Sequence, residues 1–442
     1  MQIAMVGTGY VGLVSGTCFS EFGTDVVCVD VDESKIARLN NGEIPIFEPG
    51  LDKLVESNRN AGRLRFTTDL QAAVAEAEAV FLAVGTPTSQ DNRSADLSIL
   101  FEAARQLAPA LKGYTVVVTK STVPVGTGRR VEQIIRETNP EADFDMVSNP
   151  EFLREGAAIN DFMRPDRVVI GAESPRAVKV MRALYRPLYL IETPIVFTSL
   201  ETAEIIKYAA NAFLAVKITF INEIADLCEK AGADVHHVAK GIGLDGRIGR
   251  KFLHPGPGFG GSCFPKDTRA LSHSAHELGS PLKIVDTVME VNEARKKAMA
   301  ERVIENFGGS LAGKKVAVLG VTFKPNTDDM REAPSLAIIP LLQGAGAQIS
   351  AYDPEGMTHA KTMLTDVDWC ENAYDTVVDA DALVIITEWN EFRALNIERV
   401  IGLMRQPVMF DLRNIYNPSE MLAMGVEYIS VGRPKAIGSF GK

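Results

Sequence analysis

One stretch of the 442-residue chain is built for chemistry: His254-Pro-Gly-Pro-Gly-Phe-Gly-Gly-Ser-Cys263-Phe-Pro-Lys-Asp267. Four glycines and three prolines in fourteen residues mark a loop shaped for close approach to a ligand. Pro265 suits the first turn of a helix. Cys263 then lies near a helix N-terminus, where the dipole and the neighbouring Lys266 both favour the thiolate. Asp267, four residues on, shares its face. Cys18, Cys28, Cys228 and Cys370 lie in apolar patterns or a plain loop and read as small buried hydrophobes. A nucleophilic thiol is of use where an aldehyde must be oxidised further. It adds to the carbonyl as a thiohemiacetal, hydride leaves, and water hydrolyses the resulting thioester. Starting from a primary alcohol, this is a four-electron oxidation to a carboxylate.

The hydride acceptor is legible at the other end of the chain. Gly7-Thr8-Gly9-Tyr10-Val11-Gly12 is a G-x-G-x-x-G fingerprint that follows a strand and opens a helix. Gly7 allows the tight turn, Gly9 lets the backbone approach a pyrophosphate, and Gly12 permits close helix–strand packing. The phosphates would sit over the free N–H groups of the helix start. Asp30 follows 23 residues after Gly7. Its carboxylate can accept from the adenosine ribose and would repel a 2′-phosphate, so NAD is expected in preference to NADP.

These residues must be positioned by a scaffold of α/β class. Apolar runs at 2–6, 26–29, 79–84, 115–119 and 145–148 alternate with helical patterns such as 98–111 and 127–137, the signature of a doubly wound parallel sheet. From Glu201 the pattern changes to a proline-free helix of roughly thirty residues, with apolar Ile205, Ile206, Ala209, Phe213, Val216, Phe220, Ile224 and Leu227. This spine opens a central helical domain that continues through 234–240 and 281–307. Near 314 the first pattern returns, with strands at 314–320, 348–353, 382–387 and 407–411. The loop after 320 lacks the second and third glycines, so it should not hold a pyrophosphate in the same way. The expected division is 1–200, a dinucleotide-binding domain; 201–307, the helical domain with the cysteine loop; 308–433, a second Rossmann-like domain; and a poorly ordered tail, 434–442.

Composition narrows the class further. A hydrophobic fraction of 46% with 23% charged residues reads as globular. The net charge of −11 argues against nucleic acid as a partner. The longest apolar runs fall short of the ~18 residues of a membrane span, and a strand begins at residue 2, so a cytoplasmic location is expected. The five cysteines are odd in number and the six histidines show no metal-ligand spacing, which fits reduced thiols and no bound metal.

Gly7–Gly12, Ser121-Thr-Val-Pro-Val-Gly126, Asn149-Pro-Glu-Phe-Leu-Arg-Glu-Gly156, Lys207-Tyr-Ala-Ala-Asn211, Gly258–Asp267 and Phe323-Lys-Pro-Asn-Thr-Asp-Asp-Met-Arg331 together resemble the UDP-glucose 6-dehydrogenases, over about residues 1–433. The wider family includes GDP-mannose and UDP-N-acetylhexosamine 6-dehydrogenases. Phe213-Leu214 and Arg247-Ile-Gly-x-Lys-Phe252 resemble the UDP-glucose branch most. The resemblance implies oxidation of UDP-glucose to UDP-glucuronate with two NADH per turnover. It makes Cys263 the nucleophile, and Lys207 and Asn211 stabilisers of the developing oxyanion. Asp267 would pair with them and handle protons through a water that Glu151 and Thr122 hold and activate. Thr86, Thr122, Glu155, Lys266 and Arg331 would contact NAD, beside Tyr10, Val11, Asp30 and Lys35. Glu151, Phe152, Leu153 and Arg154 would cradle the sugar nucleotide, as would Phe252, Leu253, His254, Pro255 and Gly256 with Gly260 and Phe264. Phe323, Lys324 and Arg413 would reach it from the second α/β domain, and Arg247 from a neighbouring subunit. The helical domain would form the interface of a homodimer or of a larger oligomer built on dimers.

Taken singly, Lys207 reads as a solvated helix lysine and Glu151 as a surface charge. Asn211 in an apolar helix is different, because a buried amide needs partners. The alternatives are a GDP-mannose or UDP-N-acetylhexosamine 6-dehydrogenase, a two-electron β-hydroxyacid dehydrogenase that needs only the lysine and asparagine, and a non-catalytic NAD-sensing protein.

Overall fold

The structure is a computed structural model that describes residues 1–89 and 94–434. All of the expected tail but Pro434 lies outside the described residues. The chain divides into two compact units, Met1–Ala210 with Arg269–Ser280, and Asn211–Thr268 with the chain from Pro281 onward.

The first unit is built on eight strands: β1 (Gln2–Val6), β2 (Asp25–Val29), β3 (Leu64–Thr67), β4 (Ala79–Leu82), β5 (Thr115–Thr119), β6 (Phe144–Ser148), β7 (Val168–Ala172) and β8 (Ile195–Thr198). Their order is β3-β2-β1-β4-β5-β6-β7-β8. The expected parallel sheet runs from β3 to β6; β7 pairs antiparallel with β6, and β8 parallel with β7. The central strands are continuous apolar runs because helices cover both faces. Val116, Val117 and Val118 are all fully buried, and each such valine contributes about 1.5–3 kcal/mol relative to exposure. On one face Phe19 of the first helix (Tyr10–Glu21) meets Phe162 edge-on, with centroids 4.8 Å apart.

The second unit holds an all-parallel six-stranded sheet: β9 (Lys315–Leu319), β10 (Gln348–Tyr352), β11 (Val367–Trp369), β12 (Ala382–Ile385), β13 (Val408–Asp411) and β14 (Glu427–Ser430). The order β11-β10-β9-β12-β13-β14 is that of a dinucleotide fold. Asp353, which follows β10 as Asp30 follows β2, is fully buried. Its Oδ2 accepts from the backbone of Val321 and Thr322, the Thr322 hydroxyl and the Trp389 indole; its Oδ1 accepts from Glu355 and Gly356.

The spine is one helix, Leu200–Ala231, of 32 residues, about 48 Å long at 1.5 Å per residue. In the second unit it carries Phe213, Phe220 and Leu227, seven residues apart and 63%, 49% and 61% exposed. Among the described residues no helix is long and apolar enough to cross a membrane, and no group of His, Cys, Asp or Glu is arranged to hold a metal.

Candidate active site

In the first unit the glycines of the fingerprint have separate jobs. Gly7 has φ +99°, and a Cβ there would lie 2.6 Å from the Ala83 carbonyl oxygen. A Cβ on Gly12 would collide with the carbonyl oxygen of Gly7. Gly9 differs: its φ is −70°, and no described atom lies within 4 Å of a Cβ placed on it. The helix that follows has no side-chain cap among the described residues, so its first N–H groups open onto that space. Open space over an uncapped helix start is what a pyrophosphate requires, and the site fits NAD.

Asp30 accepts at Oδ2 from the Thr8 N–H (2.8 Å), the Thr8 hydroxyl (2.7 Å) and Lys35 Nζ (3.0 Å), and at Oδ1 from Asp32 N–H (3.1 Å). Burial alone would raise its pKa, but these bonds outweigh it and hold the carboxyl below the usual range. The structure thus brings Asp30 and Lys35 together, and assigns fully buried Thr8 a part that the sequence reading missed. Thr86 donates its hydroxyl to the Thr122 carbonyl at 3.0 Å, joining two of the expected cofactor residues. The Tyr10 phenol donates to Glu48, which also accepts from Gly156 N–H (2.6 Å) and Ala158 N–H (2.8 Å). Glu48, also missed, thereby ties the fingerprint to the loop that carries Phe152, Leu153 and half-buried Glu155. Arg154 is exposed and pairs with Asp161.

That loop and the spine share a buried ion pair. Lys207 Nζ stands 3.0 Å from Glu151 Oε1, and the two residues are only 3% and 6% exposed. Neither is the solvated charge that its type alone suggests. Glu151 also accepts from the Leu153 N–H. Burial works to raise its pKa, but Lys207, that N–H and the charge of Lys120 outweigh it, and Glu151 stays ionised below the ordinary carboxylate range. The Phe152 ring takes the Arg167 guanidinium at 3.5 Å and Lys207 Nζ at 5.3 Å. Beside Lys207 lies a cavity of about 10 Å³ lined by Thr119, Ser121, Val123, Ser148, Pro150 and Glu204, room for about one water. Glu204 accepts from the Gly126 and Gly128 N–H groups (2.7 and 2.8 Å) at the start of the helix Thr127–Thr138. Burial nevertheless pushes its carboxyl up to about 7.

In the second unit the cysteine loop has the expected form. Cys263, half-buried, accepts at its carbonyl from Asp267 N–H at 2.8 Å, the first bond of the helix Phe264–Glu277. Its thiol lies 3.5 Å from the Ser262 hydroxyl. Asp267 is 1% exposed; its Oδ2 accepts from Asn211 Nδ2 at 2.7 Å and its Oδ1 from Lys266 Nζ at 2.8 Å. Lys266, expected beside the thiol and the cofactor, is therefore engaged by Asp267. Of the other cysteines Cys18, Cys28 and Cys228 are buried as expected; Cys370 is not, because it follows the short edge strand β11 and is half-exposed.

The loop is clamped by residues that the sequence reading missed. Asn222 Oδ1 accepts from Gly256 N–H (2.8 Å), Arg295 Nε donates to the Gly256 carbonyl (3.1 Å), and Asn292 exchanges two bonds with the Phe259 backbone (2.8 and 3.0 Å). The rule that singled out Asn211 applies equally to Asn222, another amide on the apolar spine. The structure also gathers much of the expected sugar-nucleotide set. Phe252, held at φ +64°, faces Phe264 with centroids 6.1 Å apart. The Phe323 ring lies against Gly261, where a Cβ would come within 2.7 Å of it. Arg413 donates to the carbonyls of Ile386 (2.8 Å) and Phe323 (3.1 Å), and a Cβ on Gly256 would stand 3.1 Å from its guanidinium. Gly260 packs on the Glu332 backbone, Leu253 and Pro255 are buried, and His254 is exposed. Lys324 lies over Phe323 at 5.2 Å, and Arg331 pairs with Asp329 at 2.8 Å. Arg247 stands apart, 90% exposed and bound to Asp245.

Comparison with known proteins places this geometry. Residues 1–189 match the NAD binding domain of the UDP-glucose/GDP-mannose dehydrogenase family, 201–294 its central domain and 317–418 its UDP binding domain. The chain is 61% identical to the UDP-glucose 6-dehydrogenase of Rhizobium meliloti (strain 1021), over 98% of this chain and all of that one. It is 49% identical to the UDP-glucose 6-dehydrogenase TuaD of Bacillus subtilis (strain 168), over 99% and 94%. Among solved structures, a UDP-glucose dehydrogenase from Pyrobaculum islandicum matches with a TM-score of 0.89 and 38% identity, over 99% and 98% of the chains. The UDP-D-ManNAc dehydrogenase of Pyrococcus horikoshii matches at 0.85 and 27%, over 98% and 99%. With the Gly9 opening and Glu151 in the first matched region, and Lys207 and the Cys263 loop in the second, the chain belongs to the UDP-glucose/GDP-mannose dehydrogenase family.

Proposed function

We propose that the chain oxidises the C6 primary alcohol of UDP-glucose to the carboxylate of UDP-glucuronate, through thiohemiacetal and thioester intermediates on Cys263. The observation that carries this reading is the half-buried thiol at a helix start whose first-turn carboxylate, Asp267, is locked by Asn211 and Lys266. A two-electron alcohol dehydrogenation has no use for such a thiol. NAD, held over Gly9 with its ribose at Asp30, would supply the hydride acceptor for each of the two oxidations. Over the whole reaction one alcohol, two NAD⁺ and one water give one carboxylate, two NADH and three protons.

The chain's own residues supply the rest. Lys207 and Asn211, one turn apart on the spine, donate to the oxygen that gains charge when the thiolate adds and when water attacks the thioester. Glu151, buried and ionised, takes the proton of that water, with Thr122 helping to hold it. Asp267 holds Asn211 and receives the proton of the alcohol. Thr86, Glu155 and Arg331 serve the cofactor beside Asp30 and Lys35. The loops Phe152–Arg154 and Phe252–Gly256, with Gly260, Phe264, Phe323, Lys324 and Arg413, hold the sugar nucleotide. Residues 1–200, 201–307 and 308–433 form the three functional domains. The exposed stripe of Phe213, Phe220 and Leu227 supports self-association through the spine, with Arg247 reaching the site of the partner copy. A compartment that keeps thiols reduced, the cytoplasm, suits five cysteines of which none is in a disulfide.

The test is NADH counted per sugar nucleotide. Two per UDP-glucose is expected, while one refutes the thiol chemistry. A panel including GDP-mannose and UDP-N-acetylhexosamines decides the sugar. Cys263→Ser is expected to bind NAD but not to release the acid; full activity in that variant overturns the mechanism.

A further inference from the structure

Next to the Glu151–Lys207 pair lies a third buried charge that this chemistry does not use. Lys120 follows directly on β5, and Asn149 directly on β6, the neighbouring strand in register. Lys120 is 3% exposed. Its ammonium donates to Asn149 Oδ1 at 3.1 Å and to the Tyr185 hydroxyl at 3.4 Å, and it faces the Phe162 ring at 6.0 Å. Tyr185 donates to the same Oδ1 at 2.6 Å, and Asn149 Nδ2 donates to the Val169 carbonyl at 2.7 Å, so the amide orientation is fixed.

These hydrogen-bond partners are all neutral. A buried ammonium with neutral partners costs stability, and burial pushes this one down to about 8. The charges that act on it are Glu151, which favours its proton, and Lys207, which opposes it. Arg167 acts on Glu151 from across the Phe152 ring, and Tyr185 faces the ammonium from the end of the helix Pro175–Leu184. Only the rigid Pro150 separates Asn149 from Glu151.

We propose that Lys120 is a positioning residue for Glu151, acting on that carboxylate through its buried charge and through the Asn149-Pro150-Glu151 segment that it tethers. The charges of Lys207 and Lys120 then together keep the buried carboxylate ionised. The cluster of Lys120, Lys207 and Glu151 carries one surplus positive charge, which suits a reaction that develops an oxyanion. The proposal rests on Glu151 being the base of the proposed function.

The experiment is the pH profile of kcat from pH 3 to 9.5, taken with short assays so that the acid limb of a carboxylate held below its ordinary range is reached, for the native enzyme and for Lys120→Gln, Lys120→Arg and Glu151→Gln. Removing an opposite charge from a buried carboxylate moves its titration up by about one unit or more. Lys120→Gln is therefore expected to shift the acid limb up by about one pH unit, an activity loss of about tenfold on that limb, with KM for NAD unchanged. Lys120→Arg, which keeps the charge, is expected to leave the limb in place. Lys120→Met, close in shape, replaces the glutamine variant if that does not fold. An acid limb at its native pH in the neutral variants overturns the proposal, even if they are destabilised. Native activity in Glu151→Gln instead overturns the assignment of the base, so the two failures are distinguishable.

Discussion

Replacing Gly9 by alanine adds one methyl group at a point where no described atom lies within 4 Å. The backbone there, φ −70° and ψ −172°, is extended and open to any residue. The unfolded chain loses freedom, worth about 0.4–1 kcal/mol, and the poorer N-cap that alanine makes for the helix Tyr10–Glu21 offsets it, so stability should stay within about 1 kcal/mol of native. The cost falls on the dinucleotide. The methyl occupies the space through which a pyrophosphate must approach the uncapped N–H groups of the helix Tyr10–Glu21. A phosphate pushed back by a carbon atom gives up about two charge-assisted hydrogen bonds, each worth about 1.5–3 kcal/mol. The sum, about 3–6 kcal/mol, weakens binding by about 10²- to 10⁴-fold. Calorimetric titration with NAD measures this, and a thermal scan of the apoprotein supplies the control. Gly12→Ala should behave in the opposite way: its methyl collides with the Gly7 carbonyl, and crowding of this kind costs about 1–3 kcal/mol of stability. An alanine at position 9 that binds NAD with native affinity would refute the reasoning.

Three further outcomes follow from the geometry. Asp30→Asn removes the charge that opposes a 2′-phosphate and releases Lys35, now 3.0 Å away, to meet one; the NADP-to-NAD ratio of kcat/KM should rise about tenfold or more, by about 1.4 kcal/mol, and an unchanged ratio counts against the role of Asp30. Glu204 has its folded pKa raised to about 7, so its contribution to stability is full below the unfolded value near 4.5 and is lost as pH rises through 7, a change of about 3 kcal/mol at 1.36 per unit. Urea unfolding of native protein and Glu204→Gln at pH 4.5, 6 and 7.5 should show the native advantage shrinking over that window, and a constant difference would show that the carboxyl is ionised throughout. Asn222→Ala strands the buried Gly256 N–H at a cost of about 1–3 kcal/mol, read as a lower urea midpoint together with a raised KM for the sugar nucleotide; native values of both would remove Asn222 from the clamp.

Local patterns were legible where the physics is local. The fingerprint, Asp30, the spine helix and the helix start after Cys263 each depend on residues a few positions apart, and the structure has them in place. The seam between β6 and β7 was not legible, because Val168–Ala172 is an apolar run whose direction is set by the course of the preceding loop. Buried charges were hidden for another reason. Lys120, Lys207, Glu151 and Glu204 are types that nearly always face water, and their partners lie 29 to 78 residues away. Lys207 and Glu151 were reached through motif resemblance. Lys120 and Glu204, outside the residues singled out that way, were missed. The partner of the Tyr10 side chain was equally hidden, because Glu48, which takes its hydroxyl, lies 38 residues away.

The environment of Asp353 bears on stoichiometry. The second sheet repeats the strand order of a dinucleotide fold, yet the acidic residue at its second strand faces inward with both oxygens committed to Val321, Thr322, Trp389, Glu355 and Gly356. No lone pair of that carboxylate is left for a ribose. A repeat of the architecture is therefore not a repeat of the seat, and the NAD isotherm of the chain should saturate at one equivalent although the second sheet repeats the order of the first six strands of the first.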